Sequence, residues 1–267
     1  MKFKEKWTIL TVILIIILAI ICSFKQDKKE VKSDNPYQKY NFYKEENYNR
    51  YLNYQNKTNL NEKDTILYVN IGLDNDFYTN AKESPKQNTN YVLVNKYNYL
   101  LEKYIPNNLI KLDEYAKNNL YLNQEAYNAF KKMALDAKIN GLSIRIISAY
   151  RDYNYQNNLY NNYLKNDPQN ADKYSAKPGH SEHQTGLAID IDNISNIYDK
   201  FENTKEFLWV KDNCYKYGFI LRYPKDKEHI TGYIYEPWHY RYVGIEISSY
   251  IYENDLTYEE YYYEFLD

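Results

Sequence analysis

The chain has 267 residues, enough for one sizeable core, or for one core together with an anchor and a stalk. Its formal net charge of −2 leaves neither a basic excess that would attract nucleic acid nor an acidic excess typical of a solvating tail, so we expect no nucleic-acid partner. The two cysteines, Cys22 and Cys214, exclude a framework of several disulfides.

The N-terminus has the features of a membrane anchor. Lys2, Lys4 and Lys6 precede the apolar run of residues 7–24, and about eighteen such residues just suffice to cross the hydrocarbon core of a bilayer. The lysines favour a cytoplasmic N-terminus, and the bulky isoleucines near the end of the run make a poor signal-peptide cleavage site. We therefore predict an uncleaved single-pass anchor over residues 1–25, with the rest of the chain outside the membrane.

The sequence after the apolar run is first polar and then has the composition of a folded domain. Residues 26–64 are polar, rich in Lys, Asn, Glu and Tyr, and have no sustained period, which predicts a stalk or a poorly ordered linker. Residues 65–267 are then the predicted folded domain. Near its start, residues 65–71 and 91–96 are predicted as short strands by their β-propensity.

The remainder of the domain alternates helices and short strands. Asn123 fits a helix cap, apolar residues then recur at helical spacing, and Asn140-Gly141 ends the helix. Further strands are predicted over 142–148, 187–192, 219–222 and 233–235, and further helices over 153–164 and 204–217. This mixture lacks regular βαβ alternation and predicts a single α+β domain.

The strand LAIDID carries a candidate metal site. Its side chains alternate between faces, with Ala188, Asp190 and Asp192 on one face and the apolar Leu187, Ile189 and Ile191 on the other. The first face is predicted to present its carboxylates at a surface or cleft. Gly186 allows a sharp turn before the strand, so that His183 folds back toward Asp190. Imidazole and carboxylate are good zinc ligands.

A third ligand is expected from the tract EPWH. His239 completes a set of three protein ligands, the number typical of catalytic zinc, and Glu236 is then available as general base toward the attacking water. A His–Asp pair alone is also compatible with a structural hydrogen bond, and Asp192 is the main rival of Asp190. The remaining histidines, His180 and His229, are not expected to be ligands.

Three motifs, in order, extend this reading. SAYRDYNYQNNLY, PGHSEHQTGLAIDI and GFILRYPKDKEHITGYIYEPWHYRYVG together resemble the zinc D-alanyl-D-alanine carboxypeptidases of the VanY type over about residues 90–244. This family belongs to a wider group with D-Ala-D-Ala dipeptidases, cell-wall L,D-carboxypeptidases and the Hedgehog signalling domain. The resemblance implies a compact α+β domain with a small central antiparallel sheet flanked by helices.

The resemblance also assigns roles to single residues. It implies Zn²⁺ ligands at His183, Asp190 and His239, a catalytic base at Glu236, and an arginine near the substrate at Arg151. Tyr150, Gln156 and Ser181 match further motif positions and are expected as substrate contacts, whereas Asp152 stands where the family has Ser or Thr. The guanidinium of Arg151 suits either the terminal carboxylate of a substrate or a tetrahedral oxyanion.

The expected function is that of a membrane-anchored zinc metallo-carboxypeptidase, a hydrolase that trims D-alanine from peptidoglycan stem peptides on the cell-wall side of the membrane. An L,D-carboxypeptidase acting on tetrapeptides is an alternative that the shared motifs do not separate. A non-catalytic wall-binding module on the same fold is a second alternative, although such a module has no need of Glu236.

Overall fold

The computed structural model describes residues 35–117, 119–193, 195 and 198–267. Contacts divide the chain into two units, Met1–Tyr40 and Asn41–Asp267, and the described residues of the first unit adopt turns. The predicted anchor over residues 1–25 lies outside the described residues. Within the described ranges, no helix combines the length and the apolar character that crossing a bilayer requires.

The second unit mixes helices with short strands. Its α-helices, in chain order, are α1 (Tyr48–Thr58), α2 (Glu62–Ile71), α3 (Gln124–Ile139), α4 (Tyr153–Asn166), α5 (Ala171–Tyr174), α6 (Lys205–Asn213), α7 (Glu228–Thr231), α8 (Ile245–Asn254) and α9 (Tyr258–Phe265). The strands are β1 (Lys82–Glu83), β2 (Asn98–Tyr99), β3 (Leu109–Lys111), β4 (Tyr121–Asn123), β5 (Ile144–Ser148), β6 (Ala188–Asn193), β7 (Phe219–Leu221) and β8 (His239–Tyr242). Short 3₁₀-helices cover Glu45–Asn47, Glu182–Thr185, Tyr198–Asn203 and Cys214–Tyr217.

Four of the strands form an antiparallel sheet in the order β5–β6–β8–β7. Its register places Ser148 and His239 on either side of Asp190. The strands β3 and β4 form a separate antiparallel pair, and β1 and β2 a short parallel pair. The predicted α+β domain with a small antiparallel sheet and flanking helices is confirmed.

The two faces of the sheet have different chemistry. Ile189, Ile191 and Tyr240 point to the main hydrophobic core, where they meet the apolar face of α3. The alternate residues on β6 and β8 are the buried, polar Asp190, Asp192, His239 and Arg241. The ring of Tyr258, on α9, lies 5.2 Å from the guanidinium carbon of Arg241, so the C-terminal helix covers part of this polar face.

Helix α3 follows its sequence signals closely. The Asn123 side chain accepts hydrogen bonds from the backbone N–H groups of Glu125 and Ala126, and the helix ends at Asn140. The buried residues recur at the predicted positions: Ala126, Phe130, Met133, Ala134 and Ala137. The predicted strands at 142–148, 187–192 and 219–222 and the helices at 153–164 and 204–217 are also found, with boundaries shifted by a few residues.

The predicted strand over residues 65–71 is wrong, because this segment forms all but the first three residues of helix α2. The Asn61 side chain accepts from the N–H of Asp64 at the start of the helix, and Gly72 ends it with a φ of 109°. Residues 91–96 are irregular rather than a strand, although Val92, Leu93 and Val94 are buried. In both segments tertiary burial, rather than strand pairing, accounts for the β-branched residues.

Three further expectations differ from the structure. Residues 233–235 form no strand, and β8 begins instead at His239. The carboxylates of β6 were expected at a surface or cleft, and Asp190 does line a cavity, but Asp192 is fully buried and is not among the described residues that line it. The expected linker over residues 26–64 contains α1, where the buried Tyr51 hydroxyl donates to Asn70 Oδ1 at 2.7 Å, so this part of the segment is folded.

Candidate metal centre

A tight turn brings His183 back over strand β6, as the glycine predicts. The 3₁₀ turn Glu182–Thr185 ends at Gly186, which has a φ of 69°. A Cβ at this position would lie 2.8 Å from Leu109 Cδ2, so close packing adds to the conformational reason for glycine. The turn leaves His183 Nε2 at 3.4 Å from Asp190 Oδ1.

The three predicted ligands, His183, Asp190 and His239, come together. Their ligand atoms all lie within 4.8 Å of one another, and all three residues are buried. Asp190 Oδ1 is 3.4 Å from His183 Nε2 and 3.3 Å from His239 Nδ1. Tetrahedral zinc with bonds of about 2.0–2.1 Å separates its ligands by about 3.4 Å, so the two spacings from Asp190 fit the ion.

Unpartnered polar atoms support the same fit. Among the described residues, neither His183 Nε2 nor Asp190 Oδ1 has a hydrogen-bond partner, although both atoms are buried. Buried polar atoms are normally paired, and their convergence on one point is what a bound cation would satisfy. The donor set of two imidazoles and one carboxylate is that of a catalytic zinc site.

Neighbouring hydrogen-bond acceptors orient the two imidazole rings so that a different ring nitrogen of each faces the ligand set. His183 Nδ1 lies 2.6 Å from the carbonyl oxygen of Ala149 and donates to it, which leaves Nε2 for a metal. His239 turns its Nδ1 toward Asp190, while its Nε2 lies 3.5 Å from Oε2 of Glu182. The two histidines therefore present different ring nitrogens to the same point.

Glu236 is placed beside the ligand set without joining it. The backbone N–H of His239 donates to the carbonyl of Glu236, and this tight turn leaves Glu236 Oε2 at 3.6 Å from His239 Nδ1. Burial raises the pKa of Glu236 to about 7, with Asp190 acting in the same direction and His239 and Arg151 against it. A carboxylate with this pKa can both accept and return a proton near neutral pH.

A cavity of about 280 Å³ contains the ligand set, Glu236, Arg151, Gln156 and Ser181. Arg151 lies three residues beyond the end of β5, and its Nη1 is 3.9 Å from Asp190 Oδ2. The predicted substrate contact Tyr150 is half-buried and is not among the described residues that line this cavity. Aromatic rings of Tyr223, Tyr233 and Trp238 form much of the wall.

The other candidates lie elsewhere. His180 Nδ1 is hydrogen-bonded to the carbonyl of Asn95, and His229 contacts the ring of Tyr68, so neither joins the ligand set. Asp192 is buried but is not part of the metal-binding group. Asp152, the departure from the family pattern, accepts from the N–H of Tyr155 and caps α4, a role that Ser or Thr also fills.

Sequence reasoning missed Glu182. Its side chain is fully buried, and Oε1 accepts from Arg222 Nε at 2.8 Å and from Arg241 Nη1 at 2.9 Å. Burial opposes its ionisation, but the two guanidinium groups and His239 hold the pKa of Glu182 below its usual range. The available signal was the pair of arginines among apolar residues in FILRYP and WHYRYV, since an arginine in a buried strand requires an acidic partner.

Comparisons with known proteins bear on this geometry. A family model described as VanY, D-alanyl-D-alanine carboxypeptidase, matches residues 119–245. The chain is 36% identical over 177 residues to the bifunctional D-Ala-D-Ala dipeptidase and D-Ala-D-Ala carboxypeptidase VanXYC of Enterococcus gallinarum, and the match covers 63% of this chain and 91% of that protein. The chain belongs to the VanY family.

Further relatives agree with this family. The putative carboxypeptidase YodJ of Bacillus subtilis is 44% identical over 64% of this chain, which spans 66% of YodJ's length. Among solved structures, the LD-carboxypeptidase LdcB matches with 40% identity and a TM-score of 0.65, over 71% of this chain and 94% of LdcB. A mutant of the vancomycin-resistance D,D-pentapeptidase VanY, solved in complex with Zn(II), matches with 32% identity and a TM-score of 0.56, over 64% of this chain and 98% of the other. The predicted zinc cofactor accords with that VanY-family structure and with the His–Asp–His group here.

Asp190 and Asp192 provide a matched test of the ligand set, because both are buried carboxylates on the same face of β6. Asp190→Asn removes a charged ligand atom. It should weaken zinc binding by at least about 10-fold to 100-fold, because losing a residue that only hydrogen-bonds to a metal ligand already has an effect of this size. Asp192→Asn should leave the affinity close to that of the parent protein. Competition with a chromophoric chelator measures both constants, and an equal loss in the two variants would rule out the assignment.

Glu236→Gln tests the buried carboxylate through stability in the absence of metal. The pKa of Glu236 rises from 4.5 to about 7 on folding, so the folded state holds the proton more tightly and loses stability progressively as the pH rises from 4.5 to about 7. Chelator-treated Glu236→Gln should therefore differ least from the parent protein below pH 4.5 and become relatively more stable between pH 4.5 and 7, by roughly 3 kcal/mol at most. Urea unfolding at several pH values measures the difference, and a difference that does not change with pH would contradict this assignment.

Proposed function

We propose that this protein is a zinc-dependent D-alanyl-D-alanine carboxypeptidase that removes the terminal D-alanine from peptidoglycan stem peptides. The observation that carries the proposal is the position of Glu236, a buried carboxylate 3.6 Å from His239 Nδ1 in the cavity that holds the ligand set. A module that only bound the cell wall would gain nothing from a further buried carboxylate at this place, because burying it costs stability.

The chain's own residues divide the work of peptide hydrolysis. Zinc, when bound by His183, Asp190 and His239, supplies a Lewis acid that polarises the scissile carbonyl and lowers the pKa of water. Glu236 accepts the proton of the attacking water and delivers it to the leaving amino group as the C–N bond breaks.

Arg151 is proposed to bind the terminal carboxylate of the substrate. Among the described residues that line the cavity, it is the only arginine or lysine, and its Nε has no hydrogen-bond partner there. A carboxypeptidase has to recognise a free carboxylate, and the planar guanidinium offers a two-pronged donor for it. Gln156 and Ser181 line the same cavity and are proposed as further polar contacts.

An L,D-carboxypeptidase acting on tetrapeptides is the second candidate. The structural match to the LD-carboxypeptidase LdcB, with a TM-score of 0.65 over 94% of that chain, favours it. Both reactions cleave a terminal D-alanine and need the same metal, base and carboxylate-binding group. They differ in the configuration of the preceding residue, so substrate choice rather than mechanism separates them.

Purified full-length protein should release D-alanine from a stem pentapeptide ending in D-Ala-D-Ala and leave the corresponding tetrapeptide unchanged. Mass spectrometry of both peptides measures the loss of one residue. A chelator should abolish the release and added zinc should restore it, because the ligand set is required. Release from the tetrapeptide alone would reject the D,D assignment in favour of the L,D one.

Two controls accompany that assay. Glu236→Gln keeps all three ligands, so it should bind zinc normally and lose about 10²–10⁴-fold in turnover, the usual cost of removing a general base. A pentapeptide amidated at its C-terminus should be a poor substrate, because Arg151 then has no carboxylate to bind. Equal cleavage of acid and amide would show that Arg151 does not bind a terminal carboxylate.

We further propose that residues 1–25 anchor the protein in the cell membrane, with the catalytic domain on the cell-wall side. The support is the apolar run of residues 7–24 behind three lysines. The mature protein should therefore begin near Met1 and sediment with membranes after cell lysis. A mature N-terminus beyond residue 20, found by mass spectrometry of the protein purified from cells, would contradict the anchor.

A further inference from the structure

One contact of His239 lies outside the three-ligand group. Its Nε2 lies 3.5 Å from Oε2 of Glu182, and across the described ranges neither of these buried atoms has a hydrogen-bond partner. A neutral histidine that binds a metal through Nδ1 carries its proton on Nε2. Glu182 therefore stands where it can accept that proton in a hydrogen bond, which fixes both the tautomer and the ring orientation.

Arg222 links Glu182 to a second buried carboxylate, that of Glu259, which lies further from the metal ligands. Arg222 gives its Nε to Glu182 Oε1 at 2.8 Å, while its Nη1 and Nη2 bind the two oxygens of Glu259 at 2.8 and 2.6 Å. All three side chains are buried. Glu259 lies on the C-terminal helix α9, beyond the residues 119–245 that the family model matches.

The division of the Arg222 donors, together with Arg241 Nη1 on the same oxygen, sets where Glu182 points. Because Glu259 occupies both Nη atoms, Arg222 engages only Oε1 of Glu182, and Oε2 is left to face His239. Guanidinium and carboxylate prefer a two-pronged contact when nothing prevents it. Without the Glu259 charge, Arg222 would turn its fork onto both oxygens of Glu182 and draw Oε2 away from His239.

We propose that Glu259 is a positioning residue for the metal centre, acting through Arg222 and Glu182 to hold His239 with its Nδ1 toward the metal. The inference rests on the zinc site of the proposed function and adds a dependence of that site on the C-terminal helix. It differs from a purely structural role, in which Glu259 would only fasten α9 to the sheet.

The chain offers a matched control on the same helix. Glu260 is also buried, and its Oε2 accepts from the N–H and hydroxyl of Thr257, which caps α9. Glu260→Gln therefore removes a buried carboxylate that stabilises α9 without altering the donors of Arg222. Any effect of merely loosening the helix should appear in both variants.

Zinc affinity of the full-length protein, measured by chelator competition, separates the two roles. Glu259→Gln and Glu182→Gln should each bind zinc about 10-fold to 100-fold more weakly than the parent protein, as loss of an outer partner does at other metal sites. Glu260→Gln should lose stability toward urea but keep the parent affinity. Parent-like affinity in Glu259→Gln, or an equal loss in Glu260→Gln, would overturn the positioning role.

Two further measurements test the proposal even if the Glu259→Gln protein does not fold. Arg222→Lys keeps the charge but cannot bridge two carboxylates, so it should weaken zinc binding to the same degree. In the parent protein, ¹⁵N spectra of labelled histidines should show one metal-bound ring ligated through Nε2 and one through Nδ1 with its proton on Nε2. Ligation of both rings through Nε2 would refute the proposal, whereas a parent protein that binds no zinc would reject the proposed function as well.

Discussion

The burial of Glu182 between two arginines is the interaction on which the rest of the site depends. A carboxylate without a partner would cost several kcal/mol at this depth, and so would either guanidinium. Arg241 belongs to β8 and Arg222 follows β7 directly, so the pairing joins neighbouring strands. His239 lies two residues before Arg241 on the same face of β8. A slip of one residue in β8 would therefore turn both side chains into the hydrophobic core.

Burial and the neighbouring charges set the electrostatics of the ligands. Burial, assisted by the nearby Arg151 guanidinium, lowers the pKa of His183 to about 4. Burial acts on His239 in the same sense, but the carboxylates of Asp190 and Glu182 outweigh it and raise the pKa to about 9. In the metal-free protein, a proton on His239 offsets part of this negative charge. A divalent cation replaces that proton and adds charge, so metal binding at neutral pH is coupled to proton release.

Local signals predicted the elements that are defined by local chemistry. Asn123 and the break at Asn140 bounded α3, and alternation along LAIDID gave the faces of β6, because capping and pleating act within a few residues. The failures occurred where distant parts of the chain decide the conformation. Residues 91–96 look like a strand, yet the carbonyl of Val92 accepts from Arg241 Nη2, so a guanidinium takes the place of a neighbouring strand.

In the candidate site, too, the sequence predicted the residues with local signals and missed the one whose role depends on distant residues. His183, Asp190, Glu236 and His239 could be found from the sequence because a metal requires particular residue types at close quarters, and few histidines were available. The arginines of FILRYP and WHYRYV indicate a buried acidic partner, but they do not single out Glu182, which lies about 40 and 60 residues away from them in the chain and has no distinctive spacing of its own.

The outer partners therefore extend the metal centre beyond its motifs. Arg241 reaches back to the carbonyls of Asn90 and Val92, and Arg222 reaches forward to Glu259 on α9. The residues that the two arginines contact lie outside residues 119–245, the part of the chain that the family model matches. A fragment limited to that part would keep the three ligands but leave two buried guanidinium groups short of acceptors. Because unpaired buried charges are costly, the segments before and after the motifs belong to the physical unit that holds the metal ligands in place.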